Sequence, residues 1–123
     1  MPQPAFFRSL GLFVDDNFLV PPDCARIREQ VCASPFKKGT VVGASGEEEA
    51  ESERRVLFAR VDASTLSCVK DRFLEIKTKL EAHFHVSLSG FETATFLKYS
   101  EGAFYKTHLD VTPDMPADYL KRR

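Results

Sequence analysis

The chain has 123 residues, 17 Lys and Arg against 18 Asp and Glu, a formal net charge of -1 and 43% hydrophobic residues. That length accommodates one domain, and the apolar content excludes wholesale disorder. The near-neutral balance lacks the basic footprint of a nucleic-acid or membrane-surface binder.

No apolar run approaches the ~20 residues of a membrane span. No basic segment precedes the short apolar patch Ala5-Phe6-Phe7, so a secretory signal is not expected. Cys24, Cys32 and Cys68 are too few and too scattered for a disulfide framework or a zinc site. A reduced, cytoplasmic setting is the expectation.

Leu10 to Phe18 is rich in apolar and aromatic residues and reads as a short strand, broken by the turn signal Asp15-Asp16-Asn17. After Pro21-Pro22, Asp23 is expected to cap a helix through Cys32 or Ala33, with Cys24, Ile27 and Val31 on one face. Ser34-Pro35 ends it, because proline disfavours helical geometry in the residue before it. Thr40-Val41-Val42 reads as a short strand. The segment 44–53 then gathers five glutamates that repel one another and bury nothing, so an acidic mobile loop within the domain is expected. It has no alternating Asp/Asn/Gly pattern for calcium.

Arg54 to Val61 reads as a returning strand. Asp62 or Ser64 starts the strongest helix of the chain. Leu66, Val69, Phe73, Ile76, Leu80 and Phe84 recur at steps of three or four, a stripe that should face a core. After Gly90 the period changes to two, which predicts a long strand over Phe91 to Tyr99. Ser100-Glu101-Gly102 is a turn in which Gly102 supplies a positive φ. Phe104 to Val111 is the next predicted strand, stopped by Thr112-Pro113.

His108-Leu109-Asp110 carries the chemistry. On a strand, residues i and i+2 point to one face, about 6–7 Å apart, so an imidazole and a carboxylate there can reach one metal ion. With a third ligand they complete the facial triad of two His and one carboxylate that holds non-haem iron(II) and leaves positions open. The plainer reading is an ordinary strand whose His and Asp share a hydrogen bond.

The surrounding residues extend the tripeptide to Tyr99-x2-Gly102-x2-Tyr105-x2-His108-x-Asp110. In residue order and spacing this resembles the signature of the iron(II)/2-oxoglutarate-dependent prolyl 4-hydroxylase family. The early Asp16-Asn17-Phe18-Leu19-Val20-Pro21-Pro22-Asp23-Cys24 is similar to the family's entry segment before its first helix.

The resemblance implies an α+β chain forming the N-terminal portion of a double-stranded β-helix (jelly-roll-like) oxygenase domain, with two helices packed on one sheet. It implies His108 and Asp110 as two iron ligands, Tyr99 lining the 2-oxoglutarate pocket and Tyr105 near its mouth, in contact with substrate. The implied activity is hydroxylation of a protein side chain, peptidyl proline above all, with Fe(II), 2-oxoglutarate as co-substrate, dioxygen and ascorbate as reductant. Core packing with a satisfied hydroxyl is the plainer role for each tyrosine.

The family's second His and its Lys or Arg anchor for 2-oxoglutarate lie several tens of residues beyond the Asp. Here thirteen residues follow Asp110, none of them His, and Lys121, Arg122 and Arg123 come too early for the anchor. His83 and His85 read as helix-terminal residues favoured by the dipole. The chain is therefore expected to be an incomplete oxygenase domain, its unpaired sheet edges open to self-association. Two other readings stand beside this one: a non-catalytic interaction module built from half of an oxygenase fold, and a zinc hydrolase using His108 and Asp110. The second lacks any His-Glu-x-x-His or paired-Cys motif.

Overall fold

The computed structural model describes residues 3–43, 46–48, 52–110 and 112–117. Its architecture is α+β, with three helices and small antiparallel sheets among these residues. The chain divides into two compact units, Met1–Gln30 with Val61–Ala94, and Val31–Arg60 with Thr95–Arg123. Among the described residues no helix is long and apolar enough to cross a membrane.

The first unit is helical. A short α1 (Ala5–Ser9) was not foreseen, and it makes three helices where two were expected. The strand predicted over Leu10 to Phe18 does not form. Gly11 takes φ +68°, the left-handed conformation that ends α1. Asp15 Oδ1 then accepts a 2.9 Å bond from the Asn17 N–H, so local turn chemistry overrides the apolar pattern.

Helix α2 (Pro21–Ala33) begins two residues before Asp23, with the Val20 carbonyl accepting from the Asp23 and Cys24 N–H groups. Proline suits the first helical turn, where its missing N–H costs nothing. Asp23 is thus a first-turn residue rather than the cap, pairing with Arg26 at 3.0 Å and accepting from the Cys68 thiol at 3.6 Å. Of the expected face, Ile27 and Val31 are half-buried, whereas Cys24 is exposed.

Helix α3 (Ala63–Phe84) matches its predicted start and end. Asp62 is its N-cap, taking a 2.7 Å bond from the Thr65 N–H. That N–H holds the Asp62 carboxyl below its ordinary value of 3.8. Asp62 also exchanges two bonds with Gln30: its N–H donates to Oε1 at 2.9 Å, and Oδ2 accepts from Nε2 at 2.8 Å. The reciprocal pair ties α2 to the start of α3.

His85 closes α3 in the left-handed conformation (φ 56°). The stripe faces inward as expected: Val69 and Ile76 are buried, and Phe73 packs against Phe18 and Phe91 with ring centroids 5.0 and 5.5 Å apart. Burial of a side chain such as Ile76 contributes about 2 kcal/mol. Arg72 fastens the entry segment by donating from Nε to the Phe18 carbonyl (2.6 Å) and from Nη2 to that of Asn17 (3.2 Å).

The second unit carries the sheets. Strands β1 (Lys37–Lys38), β5 (Leu57–Ala59) and β6 (Phe96–Lys98) form a three-stranded antiparallel sheet in the order β1-β5-β6. Strand β2 (Val41–Gly43) pairs with β3 (Gly46–Glu48), and β4 (Arg54–Arg55) with β7 (Phe104–Tyr105). The predicted strand over Arg54 to Val61 is therefore two strands with different partners, divided at Val56. Val56 is 4% exposed, and its carbonyl accepts the Gly39 N–H at 2.7 Å.

Two predicted strands are much shorter than their patterns. Only Phe96–Lys98 of Phe91 to Tyr99 is a strand, and the Phe91 ring packs against Phe73. Only Phe104–Tyr105 of Phe104 to Val111 is one, and position 111 lies outside the described residues. Within the predicted acidic loop 44–53, Gly46–Glu48 pairs as β3, while positions 44, 45 and 49–51 lie outside the described residues. The turn before β7 forms as predicted, with Ala103 N–H bonding the Ser100 carbonyl at 2.8 Å and Gly102 at φ +79°.

Candidate metal centre

Strand β7 stops at Tyr105, and the backbone of His108, Leu109 and Asp110 is irregular rather than extended in a sheet. The ladder with β4 ends on the Lys106 N–H, which bonds the Glu53 carbonyl at 2.9 Å, reinforced by Lys106 Nζ to Glu53 Oε1 at 3.3 Å. Beyond that tie the chain turns out of the sheet. The expected common side is nevertheless present: His108 Nε2 lies 3.5 Å from Asp110 Oδ1. The strand rationale was wrong in its geometry, and the turn achieves the same convergence.

Two contacts fix the imidazole. Its Nδ1 lies 2.8 Å from the Lys106 carbonyl oxygen. A carbonyl can only accept, so the neutral ring carries its proton on Nδ1 and presents a bare lone pair on Nε2. The Tyr105 ring stacks on the imidazole, centroids 3.6 Å apart and planes 12° from parallel. The odd step between these residues required either a bulge or a strand beginning after Tyr105. What happens is that the strand ends there, which frees His108 to fold back over the ring.

Asp110 is open to solvent, its side chain 80% exposed against 40% for His108. The 3.5 Å separation exceeds the roughly 2.7–3.2 Å of an N–H···O hydrogen bond. It is close to the spacing of two donors on one metal ion, about 3.0 Å for a right-angled pair at ~2.1 Å bond lengths. One imidazole nitrogen and one carboxylate oxygen suit a borderline divalent ion such as Fe(II), Mn(II) or Zn(II). These residues fit two adjacent ligand positions. Among the described residues, no group of three His, Cys, Asp or Glu side chains is placed to share an ion.

The other histidines are engaged elsewhere. His83 Nε2 donates to the Leu12 carbonyl at 2.7 Å, and His85 contacts Arg8. Tyr99 follows β6 directly and is 51% exposed, so its phenol is not part of a packed core. Tyr105 is half-buried and contacts both His108 and Arg54 through its ring.

No family model, curated protein or solved structure matches the chain.

Sequence reasoning missed Arg54. Its guanidinium carbon sits 4.4 Å from the Tyr105 ring centroid and 5.0 Å from that of Phe58. Since His108 already covers one face of Tyr105 at van der Waals contact, Arg54 takes the other. The four residues form one stack, Phe58–Arg54–Tyr105–His108. Arg54 Nη1 also donates to the Thr40 carbonyl at 2.9 Å. The available signal was an Arg-Arg pair inside an otherwise apolar strand pattern, set against an aromatic-rich segment.

Proposed function

We propose that this chain carries two of the protein ligands of an iron(II)/2-oxoglutarate-dependent dioxygenase of the prolyl 4-hydroxylase type, acting on a protein side chain. Support comes from the Tyr-x2-Gly-x2-Tyr-x2-His-x-Asp spacing and, above all, from the approach of His108 Nε2 to the Asp110 carboxylate at 3.5 Å. In this reading the small sheets are the start of a jelly-roll whose further strands, second His and 2-oxoglutarate anchor are supplied by additional polypeptide.

Each residue of the cluster then has a task. His108 and Asp110 hold the ion. The Lys106 carbonyl accepts from the imidazole Nδ1–H, which fixes the ring's direction. The flat contact with Tyr105 restricts ring rotation, so the donor is oriented before the ion arrives. The exposed Tyr99 phenol is available to donate a hydrogen bond to 2-oxoglutarate, and Tyr105 presents its edge to the peptide. Fe(II) held there would supply activation of dioxygen, one oxygen atom passing to the hydroxylated side chain and the other to succinate as 2-oxoglutarate loses carbon dioxide, with ascorbate as the reductant. A cytoplasmic setting and a peptidyl proline substrate belong to the same proposal.

Succinate release by a form of the protein extended to include the third ligand tests this. His108→Ala and Asp110→Ala should each abolish iron-dependent turnover. Turnover retained in either variant shows that the ligand assignment is wrong, and its absence from the parent favours a non-catalytic interaction module.

A further inference from the structure

A cavity of about 220 Å³ opens in the second unit beside the β1-β5-β6 sheet. Arg54, Arg55 and Lys98 line it, together with Val56, Leu57 and Ala103. Lys38, Glu101 and Gly39 form part of its wall.

None of the three first-named cations is paired with a carboxylate among the described residues. Each is held against an aromatic ring instead: Arg54 between Phe58 and Tyr105, Arg55 over Phe104 at 5.4 Å, and Lys98 over Phe36 at 4.6 Å. Rings fix the position of a cation without neutralising it. The Arg54 Nε–H is buried and has no hydrogen-bond partner among the described residues. A buried donor left in that state is costly unless something accepts from it. Gly39 packs so closely against that nitrogen that a Cβ there would lie 3.2 Å from it.

We propose that this cavity binds the carboxylate group of a ligand with a short aliphatic body. Arg54, Arg55 and Lys98 outnumber the one carboxylate residue of the lining, Glu101, and this excess of positive charge among the described residues suits an anion, with a guanidinium fork matching the planar carboxylate. The aliphatic walls of Val56, Leu57 and Ala103 accommodate a hydrocarbon stem of a few carbons. Glu101 on the lining repels a second negative charge, which favours a monoanion over phosphate. The carboxylate can belong to a free small acid or to a Glu side chain of a peptide. The site needs no metal and stands whether or not His108 and Asp110 bind iron.

Titration of the metal-free 123-residue chain, followed by two-dimensional NMR at low ionic strength, tests the assignment. One arm uses butyrate against butyramide. A second uses an end-blocked Ala-Glu-Ala peptide against its Ala-Gln-Ala counterpart. Saturable shifts of the Arg55, Lys98 and Ala103 amides with either carboxylate, absent with its neutral partner, are expected, and the responding arm identifies the source. Arg55→Gln and Lys98→Gln should each weaken binding by about tenfold, whereas Lys70→Gln on α3 should leave it unchanged. A folded spectrum of each variant in the absence of ligand excludes unfolding as the cause. Equal responses to neutral and charged probes, tighter binding of inorganic phosphate than of butyrate, or unchanged affinity in both variants would each overturn the proposal.

Discussion

The Tyr105 ring lies flat on the His108 imidazole, 3.6 Å between centroids and 12° from parallel, while Arg54 covers its other face at 4.4 Å. A residue held in a β-ladder by its pairing with Arg54 thereby transmits the position of the sheet to the histidine three residues on. The metal-ligand candidates are exposed and lie outside any strand, so this stack and the Lys106 carbonyl set their direction.

Replacing Tyr105 separates its two roles. Tyr105→Ala removes the stack on both faces and should lower stability by ~1–2 kcal/mol, with a broadened His108 ring resonance. Tyr105→Phe keeps both faces and should match the parent in stability and in the His108 spectrum. Equal loss in the two variants would place the stabilisation in the hydroxyl and not in the stack.

Gly39 is a second point of close fit. A Cβ there would lie 2.6 Å from Val56 Cγ1 and 3.1 Å from the Val56 carbonyl oxygen. Val56 cannot yield, because it is buried where the chain passes between two sheets. Gly39→Ala should cost about 1–3 kcal/mol, read as a lower denaturant midpoint. An unchanged midpoint would show that β1 can move away from β5.

The helical unit should lose stability in acid. Hydrogen bonding from the Thr65 N–H lowers the Asp62 carboxyl pKa, and that from the Leu88 N–H lowers the Glu81 pKa. In each case the folded value lies below the unfolded one. The stabilisation is therefore complete above the ordinary values of 3.8 and 4.5, and is lost as pH falls through the lower folded values. Asp62→Asn retains a capping side chain without the titration. The thermal midpoint of this variant should fall less than the parent's between neutral and strongly acidic pH, and identical acid limbs would show that Asp62 does not contribute to the acid sensitivity.

Helix α3 was legible because its signals agree over 22 residues: a stripe at steps of three and four, and an acidic cap. The strands were legible in place but not in length. Alternation continues through Phe91 and Thr93, yet the Phe91 ring packs against Phe73 of α3 and not on a neighbouring strand. Periodicity records which residues are apolar, not which surface claims them. The approach of His108 to Asp110 was legible from an i, i+2 rule that applies to strands, although a turn brings it about. Arg54 was illegible, since its importance comes from β4 pairing with β7 across some fifty intervening residues, a relation that local pattern does not carry.

The proposed iron site requires the His108 nitrogen and the Asp110 carboxylate to share one ion. The most direct measurement is paramagnetic broadening of the chain's NMR signals by substoichiometric Mn(II), which takes the same nitrogen and oxygen donors. Broadening should be strongest at His108 and Asp110, extend to Lys106 and Tyr105, and vanish from all four in His108→Ala and Asp110→Ala. Broadening centred on the glutamates of segment 44–53, or persisting around Tyr105 in both variants, would contradict it.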